Sequence, residues 1–230
     1  MKYYIIAGEA SGDLHASNLM AELKKLDADA DFRVWGGDLM ENQGGVVVKH
    51  YRDLAFMGFL EVFMNLPAIL GNLKFCKQDI LSYNPDVLIL VDYPGFNLRM
   101  AEFATKNGVK VFYYISPQVW AWKKSRVKKI RKNVDRMFVI LPFEKEFYAR
   151  YDVDVDFVGH PLLDSIENEN RKPLSAVDFH KKYNLDDRPL IALLPGSRKQ
   201  EISRMLPVML SIINYYPAYQ FVIAGAPSQA

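Results

Sequence analysis

The chain has 230 residues, of which 50% are hydrophobic and 24% are charged, a composition typical of a globular protein rather than a disordered one. A net charge of +2 predicts no overall field that selects nucleic acid or a membrane as the partner. The single cysteine, Cys76, excludes an internal disulfide and fits a reducing compartment. We expect no signal peptide, because Lys2 leads directly into a strand-like run, and no membrane span, because no apolar stretch reaches about 18 residues.

Short apolar runs alternate with helical patterns along the whole chain. The predicted strands are Tyr3–Ala7, Phe32–Gly36, Val46–Val48, Val87–Val91, Val109–Ile115, Met137–Leu141, Asp156–Gly159, Leu190–Leu194 and Phe221–Ala224. Several runs are continuously apolar, as expected for parallel strands that are covered on both faces. The alternation predicts an α/β fold with a doubly wound, parallel, Rossmann-like sheet.

A polar segment, Asp164–Pro173, indicates a domain boundary. We expect an N-terminal domain over residues 1–170, a linker over 171–188 that holds a short helix at Ser175–Tyr183, and the start of a second α/β domain over 189–230. The second domain would have two strands and one helix, too few to bury a two-faced parallel sheet. We therefore expect the chain to be the front part of a longer protein.

The loop Gly8-Glu9-Ala10-Ser11-Gly12-Asp13 follows the first strand and opens a helix. Its glycines permit a tight turn and close approach of a ligand, and Ser11 or Asp13 is suited to cap the helix. The loop is neither a dinucleotide fingerprint nor a P-loop. Two carboxylates would repel a pyrophosphate, which favours a polyhydroxylated ligand such as a sugar. A capped turn without a ligand is the alternative.

Asp92 directly follows the apolar run Val87–Val91, and Pro94 and Gly95 then turn the chain. A carboxylate at the carboxyl end of a central strand faces the ligand crevice of an open α/β sheet. Partial burial there would raise its pKa toward a value that suits a general base. A structural turn or N-cap role for Asp92 is the alternative.

The segment Tyr113–Trp122 carries Ser116, Gln118 and two tryptophans, Trp120 and Trp122, after a predicted strand. Aromatic faces and polar side chains together suit a sugar, although ordinary packing of large aromatics explains them equally well. The densest basic run of the chain, Lys123–Lys132, follows as a predicted amphipathic helix. It is suited to phosphates of a lipid or nucleic acid, or it is a solvated helix face.

The segment Asp53–Leu70 is rich in Phe, Met and Leu and has few charges. A helix in a soluble domain normally buries only one stripe, so exposed members of this segment would contact a bilayer surface or acyl chains. With the basic run, this predicts a peripheral membrane enzyme, and core packing is the alternative. We assign the membrane or acyl contacts to Phe56, Met57, Phe59, Leu60, Phe63 and Met64.

The segment Leu193–Ile202 runs from a strand through Pro-Gly-Ser-Arg into a helix. Backbone N–H groups of Gly196 and Ser197 near a helix N-terminus, together with the Arg198 guanidinium, are suited to a diphosphate. A capped turn is the alternative. His15 and His160 have no partner at metal-ligand spacing, and no Cys/His cluster occurs, so we expect no metal.

The motifs GEASGD, MGFLEV, VDYPGFN, YYISPQVWAWKKSR, LPFEKEFY, FVGHPLLD and ALLPGSRKQEI occur in this order over nearly the whole chain. These motifs, taken in this order, resemble those of the lipid-A-disaccharide synthase family. The resemblance implies a two-domain glycosyltransferase of the GT-B type that needs no catalytic metal or other cofactor. The family condenses UDP-2,3-diacylglucosamine with 2,3-diacylglucosamine 1-phosphate (lipid X), on the cytoplasmic face of the inner membrane of Gram-negative bacteria, giving a β-1,6-linked disaccharide 1-phosphate and UDP.

The resemblance implies catalytic roles for Glu9 and Asp92 and a role for Arg198. Where the family motif often reads D-x-P-D-F-N, this chain has Gly95 in place of the second carboxylate, which singles out Asp92. We assign substrate binding to Gly8, Ser11, Gly12, Asn97, Ser116, Gln118, Trp120, Lys123 and Arg126. We assign contacts with the nucleotide diphosphate to Gly196, Ser197, Arg198 and Glu201.

Two other functions are considered. Another GT-B enzyme could transfer a UDP-sugar to a different acceptor, which the acyl-suited segment argues against when the acceptor is soluble. A nucleic-acid-binding module could use residues 123–132, but Glu9, Asp13 and Asp92 at strand ends would then have no purpose, so we expect no nucleic acid as a partner. We also expect the 230-residue chain by itself to lack transferase activity.

Overall fold

A computed structural model describes residues 1–54, 66–121, 123–168, 174–197 and 199–225. The chain divides into two compact units, Met1–Asn168 and Glu169–Ala230. Among the described residues, no helix is both long enough and apolar enough to cross a bilayer.

The first unit is built on one parallel sheet with the strand order β3-β2-β1-β4-β5-β6-β7. Every strand predicted in this part of the sequence is confirmed, with ends that shift by one or two residues. The strands are β1 (Lys2–Ala7), β2 (Asp31–Gly36), β3 (Val46–His50), β4 (Val87–Val91), β5 (Lys110–Tyr114), β6 (Arg136–Val139) and β7 (Asp156–Phe157).

Helices of the first unit lie between these strands and make the crossovers that parallel pairing requires. In the described part they are α1 (Ala10–Leu26), α2 (Asp38–Asn42), α3 (Leu66–Tyr83), α4 (Pro94–Lys106), α5 (Val127–Asn133), α6 (Pro142–Ala149) and α7 (Pro161–Asn168).

Two apolar cores cover the two faces of the sheet. Alternate residues of β1 belong to different cores, with Tyr4 and Ile6 in one and Tyr3 and Ile5 in the other. Helices α3, α4 and α5 supply the first core, which contains the buried Cys76, and helices α1 and α2 supply the second. The two-faced burial predicted from the continuously apolar strands is therefore confirmed.

The strand order reverses at β1. From β1 the chain builds outward through β2 and β3, whereas β4 returns to the other side of β1 and leads outward to β7. Loops after β1 and β4 consequently diverge to opposite faces of the sheet. Open α/β sheets bind their ligands in the crevice that this divergence creates.

A partly buried chain of polar side chains joins α3 to the two strands β1 and β2. The Arg33 guanidinium makes two hydrogen bonds to the Asp79 carboxylate, of 2.6 and 2.8 Å. The Tyr4 hydroxyl donates to the same carboxylate at 2.7 Å and accepts from the Trp35 indole at 2.8 Å. Paired, hydrogen-bonded charge of this kind fixes the register of α3 on the sheet.

Asp13 has a different structural role from the one predicted. Helix α1 begins at Ala10, and neither Ser11, which is exposed, nor Asp13 caps it. The buried Asp13 carboxylate instead accepts hydrogen bonds from the backbone N–H groups of Gly37, Leu39 and Met40, at 2.7 to 3.2 Å. Asp13 therefore caps the start of α2 from across the fold.

The second unit contains α8 (Ala176–Lys182), β8 (Leu190–Leu193), α9 (Lys199–Leu210) and β9 (Gln220–Ile223) in its described part. The two strands pair in parallel, with Leu190 opposite Gln220. The predicted helix and both predicted strands are confirmed. Residues 186–188, which we expected in a linker, are bonded to the unit: the Gln220 amide donates to the carbonyl oxygens of Asp186 and Arg188 at 2.6 and 2.7 Å.

Replacing Asp13 with Ala should lower the free energy of unfolding of the chain by about 2–4 kcal/mol, because three backbone N–H groups lose a charged acceptor. Chemical denaturation followed by circular dichroism measures this change. The control is Asp154→Ala, which removes an exposed carboxylate and should change the stability by less than about 0.5 kcal/mol. Equal effects of the two substitutions would contradict the capping role.

Candidate active site at the switch point of the sheet

The loops that follow β1 and β4 meet at one edge of the sheet. Ala7 is the register partner of Val91, so the two chains leave the sheet side by side. Gly8 is buried there, and a Cβ atom on it would lie 2.5 Å from Cγ and Cδ1 of the Tyr93 ring. The Tyr93 ring can pack against residue 8 only because glycine has no side chain. The glycine is therefore explained by packing within the protein.

Glu9 lies beside the same ring. Its side chain is half-buried and its backbone is extended, with φ of −145°. Burial raises the pKa of the Tyr93 hydroxyl above its usual range, and the nearby Glu9 carboxylate raises it further. The two acidic residues to which the family resemblance assigns catalytic roles, Glu9 and Asp92, thus lie on neighbouring loops at the switch point.

Asp92 and Tyr93 both have left-handed backbone conformations, with φ of 42° and 46°. The Asp92 carbonyl oxygen accepts hydrogen bonds from the Asn97 side-chain amide at 2.8 Å and from the Tyr113 hydroxyl at 2.5 Å. Asp92 as a residue is exposed. Our expectation of partial burial at Asp92 is therefore wrong, because the turn lifts the residue out of the strand edge.

Two residues expected to bind substrate directly are buried and bonded to the protein instead. Asn97 is 0% exposed, and its amide nitrogen donates to backbone carbonyl oxygens of Val91 and Asp92. The buried Ser116 hydroxyl shares a 2.7 Å hydrogen bond with the Tyr148 hydroxyl. Both buried side chains make hydrogen bonds within the protein that stabilise the neighbouring loops. Their positions in the motifs do not predict this structural role.

The other positions of the aromatic motif lie nearer to solvent. Gln118 is exposed and Trp120 is half-buried. The Trp120 ring contacts Phe143 edge-on, with 5.0 Å between the centroids, and its indole nitrogen is buried without a hydrogen-bond partner among the described residues. Trp122 lies outside the described residues.

The basic run forms a 3₁₀ turn, Lys124–Arg126, followed by α5. Helix α5 buries Val127 and Ile130 and exposes its cationic face, as the predicted amphipathic helix requires. Lys123 is exposed and has a left-handed backbone conformation, whereas Arg126 is half-buried.

The pKa of Tyr113 relates Arg126 to the Asp92 turn. Burial raises this pKa well above its usual range, Asp92 raises it further, and Arg126 opposes the rise. Arg126 therefore lies in the electrostatic neighbourhood of the Asp92 turn.

The proposed acyl and membrane positions lie outside the described residues. These are Phe56, Met57, Phe59, Leu60, Phe63 and Met64.

The loop of the second unit is closed by its own glutamate. The Glu201 carboxylate accepts a hydrogen bond from the Ser197 backbone N–H at 3.2 Å. Gly196 has φ of +106°, and a Cβ atom there would lie 2.6 Å from the same carboxylate oxygen. Glu201, expected to contact a diphosphate, instead occupies the amide that we assigned to that anion. Arg198 lies outside the described residues.

The structure also brings together two histidines that the sequence places 145 positions apart. Burial lowers the pKa of His15, and the nearby His160 lowers it further. The Nδ1 atom of His160 accepts from the Leu162 backbone N–H at 3.2 Å. No group of three or more potential metal-ligating side chains occurs in the described part of the chain. Because the two histidines are 145 positions apart, no local sequence signal could have revealed this electrostatic interaction.

A model of the lipid-A-disaccharide synthetase family matches residues 3–220. The chain belongs to this family. The lipid-A-disaccharide synthase of Geobacter metallireducens is 44% identical to this chain, and the alignment covers 97% of this chain and 59% of that protein. For the enzyme of Coxiella burnetii the identity is 42%, with 95% and 58% covered. The chain thus spans a little over half the length of these curated relatives.

Solved structures with the same fold are much more distant in sequence. The UDP-GlcNAc 2-epimerase of Neisseria meningitidis, bound to UDP-GlcNAc, superposes with a TM-score of 0.65 at 12% identity, over 99% of this chain and 66% of that one. The MnaA–UDP structure of S. aureus gives a TM-score of 0.67 at 13% identity, over 98% and 62%. The doubly wound α/β fold of GT-B type, with a second Rossmann-like unit in part, is confirmed.

Substituting Gly8 with Ala should destabilise this member of the lipid-A-disaccharide synthetase family by about 1–3 kcal/mol, because the added methyl overlaps the Tyr93 ring and must displace it. Thermal or urea unfolding of the chain measures the loss. The matched control is Gly95→Ala in the first turn of α4, where a Cβ atom meets nothing within 4 Å. The control should be neutral or up to about 1 kcal/mol more stable. Equal losses in both would show that the Gly8–Tyr93 contact has no special weight.

Proposed function

We propose that the whole protein is a lipid-A-disaccharide synthase, which joins UDP-2,3-diacylglucosamine to lipid X with inversion and releases UDP. The observation that carries the proposal is the exposed Asp92 on a fixed turn at the switch point, in a chain of this family. Glu9 on the adjacent loop supports it, because sugar hydroxyls are well recognised by converging carboxylates and amides. The donor, the acceptor and the membrane surface are the proposed partners.

In the proposed reaction, the Asp92 carboxylate accepts the proton of the acceptor 6-hydroxyl. The hydroxyl oxygen forms a bond to the donor anomeric carbon from the face opposite UDP. The bond between that carbon and the diphosphate oxygen breaks, and its electron pair leaves with UDP. The product is the β-1,6-linked disaccharide 1-phosphate, and the proton remains on Asp92 until it passes to solvent.

Further residues have proposed supporting roles. Arg198 and the Gly196–Ser197 backbone would stabilise negative charge that develops on the departing diphosphate. Glu9 would hold a sugar hydroxyl and orient the reacting groups. The cationic positions Lys123 and Arg126 would attract the acceptor 1-phosphate.

Peripheral attachment to the cytoplasmic face of a Gram-negative inner membrane is part of the proposal. Its support is the exposed basic face of α5, which suits anionic lipid headgroups, together with the Phe-, Met- and Leu-rich residues 56–70, which would receive acyl chains. We further propose that catalysis needs no metal, because Asp92 and Arg198 together provide the base and the charge stabilisation.

The direct test is release of UDP from UDP-2,3-diacylglucosamine and lipid X. The full-length protein should turn over, and the 230-residue chain by itself should not. A deacylated donor separates this function from that of another UDP-sugar transferase: comparable turnover of the deacylated donor by the full-length protein would contradict the assignment to acylated substrates.

In the full-length protein, Asp92→Asn should lower kcat by about 10²–10⁴-fold, because an amide cannot accept the hydroxyl proton. Unfolding curves should stay close to those of the parent protein. The control is Asp86→Asn at the opposite end of β4, where the carboxylate accepts the Lys2 N–H at 2.7 Å and an asparagine oxygen can still do so. Asp86→Asn should keep near-parental turnover; a fully active Asp92→Asn variant would refute the base assignment.

A further inference from the structure

The turn that presents Asp92 is conformationally unfavourable. Two consecutive non-glycine residues, Asp92 and Tyr93, have positive φ angles. Side chains with a Cβ atom rarely adopt this region. Tyr93 also precedes Pro94, which favours extended conformations in the residue before it. Such a turn persists only where surrounding structure holds it, and residues of this kind cluster at functional sites.

The holding contacts converge on one atom, the carbonyl oxygen of Asp92. It accepts from the Tyr113 hydroxyl at 2.5 Å and from the Asn97 amide nitrogen at 2.8 Å. The same Asn97 nitrogen donates to the Val91 carbonyl at 3.2 Å. The nitrogen also donates to the Ile6 carbonyl at 3.5 Å. Because all three partners are carbonyl oxygens, which only accept, the orientation of the amide group is fixed.

Both donors come from the interior of the protein. Tyr113 and Asn97 are each 0% exposed, so both donor groups are shielded from water, although their acceptor belongs to the exposed Asp92. Tyr113 lies on β5 and Asn97 lies in the first turn of α4. The Asp92 backbone N–H in turn donates to the Tyr114 carbonyl at 3.3 Å. The peptide is thus held from the neighbouring strand and from the helix that follows it.

The geometry points to Tyr113 and Asn97 as positioning residues that fix the direction of the Asp92 carboxylate through its own main-chain carbonyl, an inference that rests on the proposed role of Asp92. Relaxation of the turn toward negative φ would rotate the Cα–Cβ bond of Asp92 and so change the direction of its carboxylate. Neither side chain reaches the surface, so neither contacts substrate. Their effect on the reaction passes entirely through the placement of the carboxylate.

The test uses the full-length protein and two substitutions that preserve side-chain volume. Tyr113→Phe removes one donor, and Asn97→Leu removes the other. Each should lower kcat about 10–100-fold with KM within about threefold, because a displacement near 1 Å of a catalytic group costs about 10²-fold. The control is Tyr4→Phe, which deletes an equally buried, hydrogen-bonded hydroxyl from β1. It should leave kcat within about twofold.

A double-substitution experiment separates positioning from general destabilisation. In the Asp92→Asn background, Tyr113→Phe should cause less than about a twofold further loss, because the group it positions is already inactive. A loss of the full 10–100-fold in that background would overturn the inference, and so would a kcat for Tyr113→Phe that matches the Tyr4→Phe control.

The outcomes for the two proposals are distinguishable. If Asp92→Asn is inactive while Tyr113→Phe and Asn97→Leu match the control, the positioning role is wrong and the base assignment stands. If Asp92→Asn retains parental turnover, both fail. Measuring the unfolding midpoint of every variant shows whether any loss of kcat tracks lost stability, which would also overturn the positioning role.

Discussion

Parallel pairing of β1 with β4 determines where the chemistry of this protein can occur. Residues 3–7 align with residues 87–91, so two loops that are far apart in sequence leave the sheet at adjacent points. Because the strand order reverses there, their helices depart to opposite faces and an open crevice remains. The loops that carry Glu9 and Asp92 are neighbours for this topological reason, which the local sequence of neither loop predicts.

Around that crevice, the residues closest to the catalytic candidates serve mainly to fix the main chain. Gly8 makes room for a tyrosine ring, and Asn97 and Tyr113 bind a carbonyl oxygen. Asp13 binds the start of the next helix, and Ser116 binds a buried hydroxyl. The motifs around the crevice thus combine candidate catalytic residues with buried groups that fix the conformation of the backbone.

Much of the architecture was predictable because several strands of the first sheet, β4 above all, are continuously apolar runs between turn residues. A continuously apolar strand indicates that both faces of the sheet are buried. The predicted strand bounds agree with the structure to within one or two residues. The cationic face of α5 was predictable because Val127 and Ile130 keep helical spacing, which leaves the Lys and Arg residues on the solvent side. The family could be recognised because its motifs are specific and occur in order.

The direction of individual polar side chains could not be predicted. Whether Asp13 caps its own helix or one that begins 25 residues later depends on the packing of α1 against α2. The sequence suggests that Asn97 and Ser116 bind substrate. Only the structure shows that Asn97 donates to backbone carbonyl oxygens and that Ser116 bonds to the Tyr148 hydroxyl. Asp92 was expected to be partly buried, but a turn with two consecutive left-handed residues, which is uncommon for residues other than glycine, lifts it outward.

The glutamate that closes the loop of the second unit changes how anion binding there should be understood. Because the Ser197 amide already holds the Glu201 carboxylate, any anion that takes this amide must exchange with an internal one. The affinity for that anion would then reflect the difference in free energy between the anion–amide hydrogen bond and the Glu201–amide hydrogen bond that it replaces. Such an exchange would favour rapid release of the anion over tight retention, which suits the diphosphate leaving group that we propose for this loop.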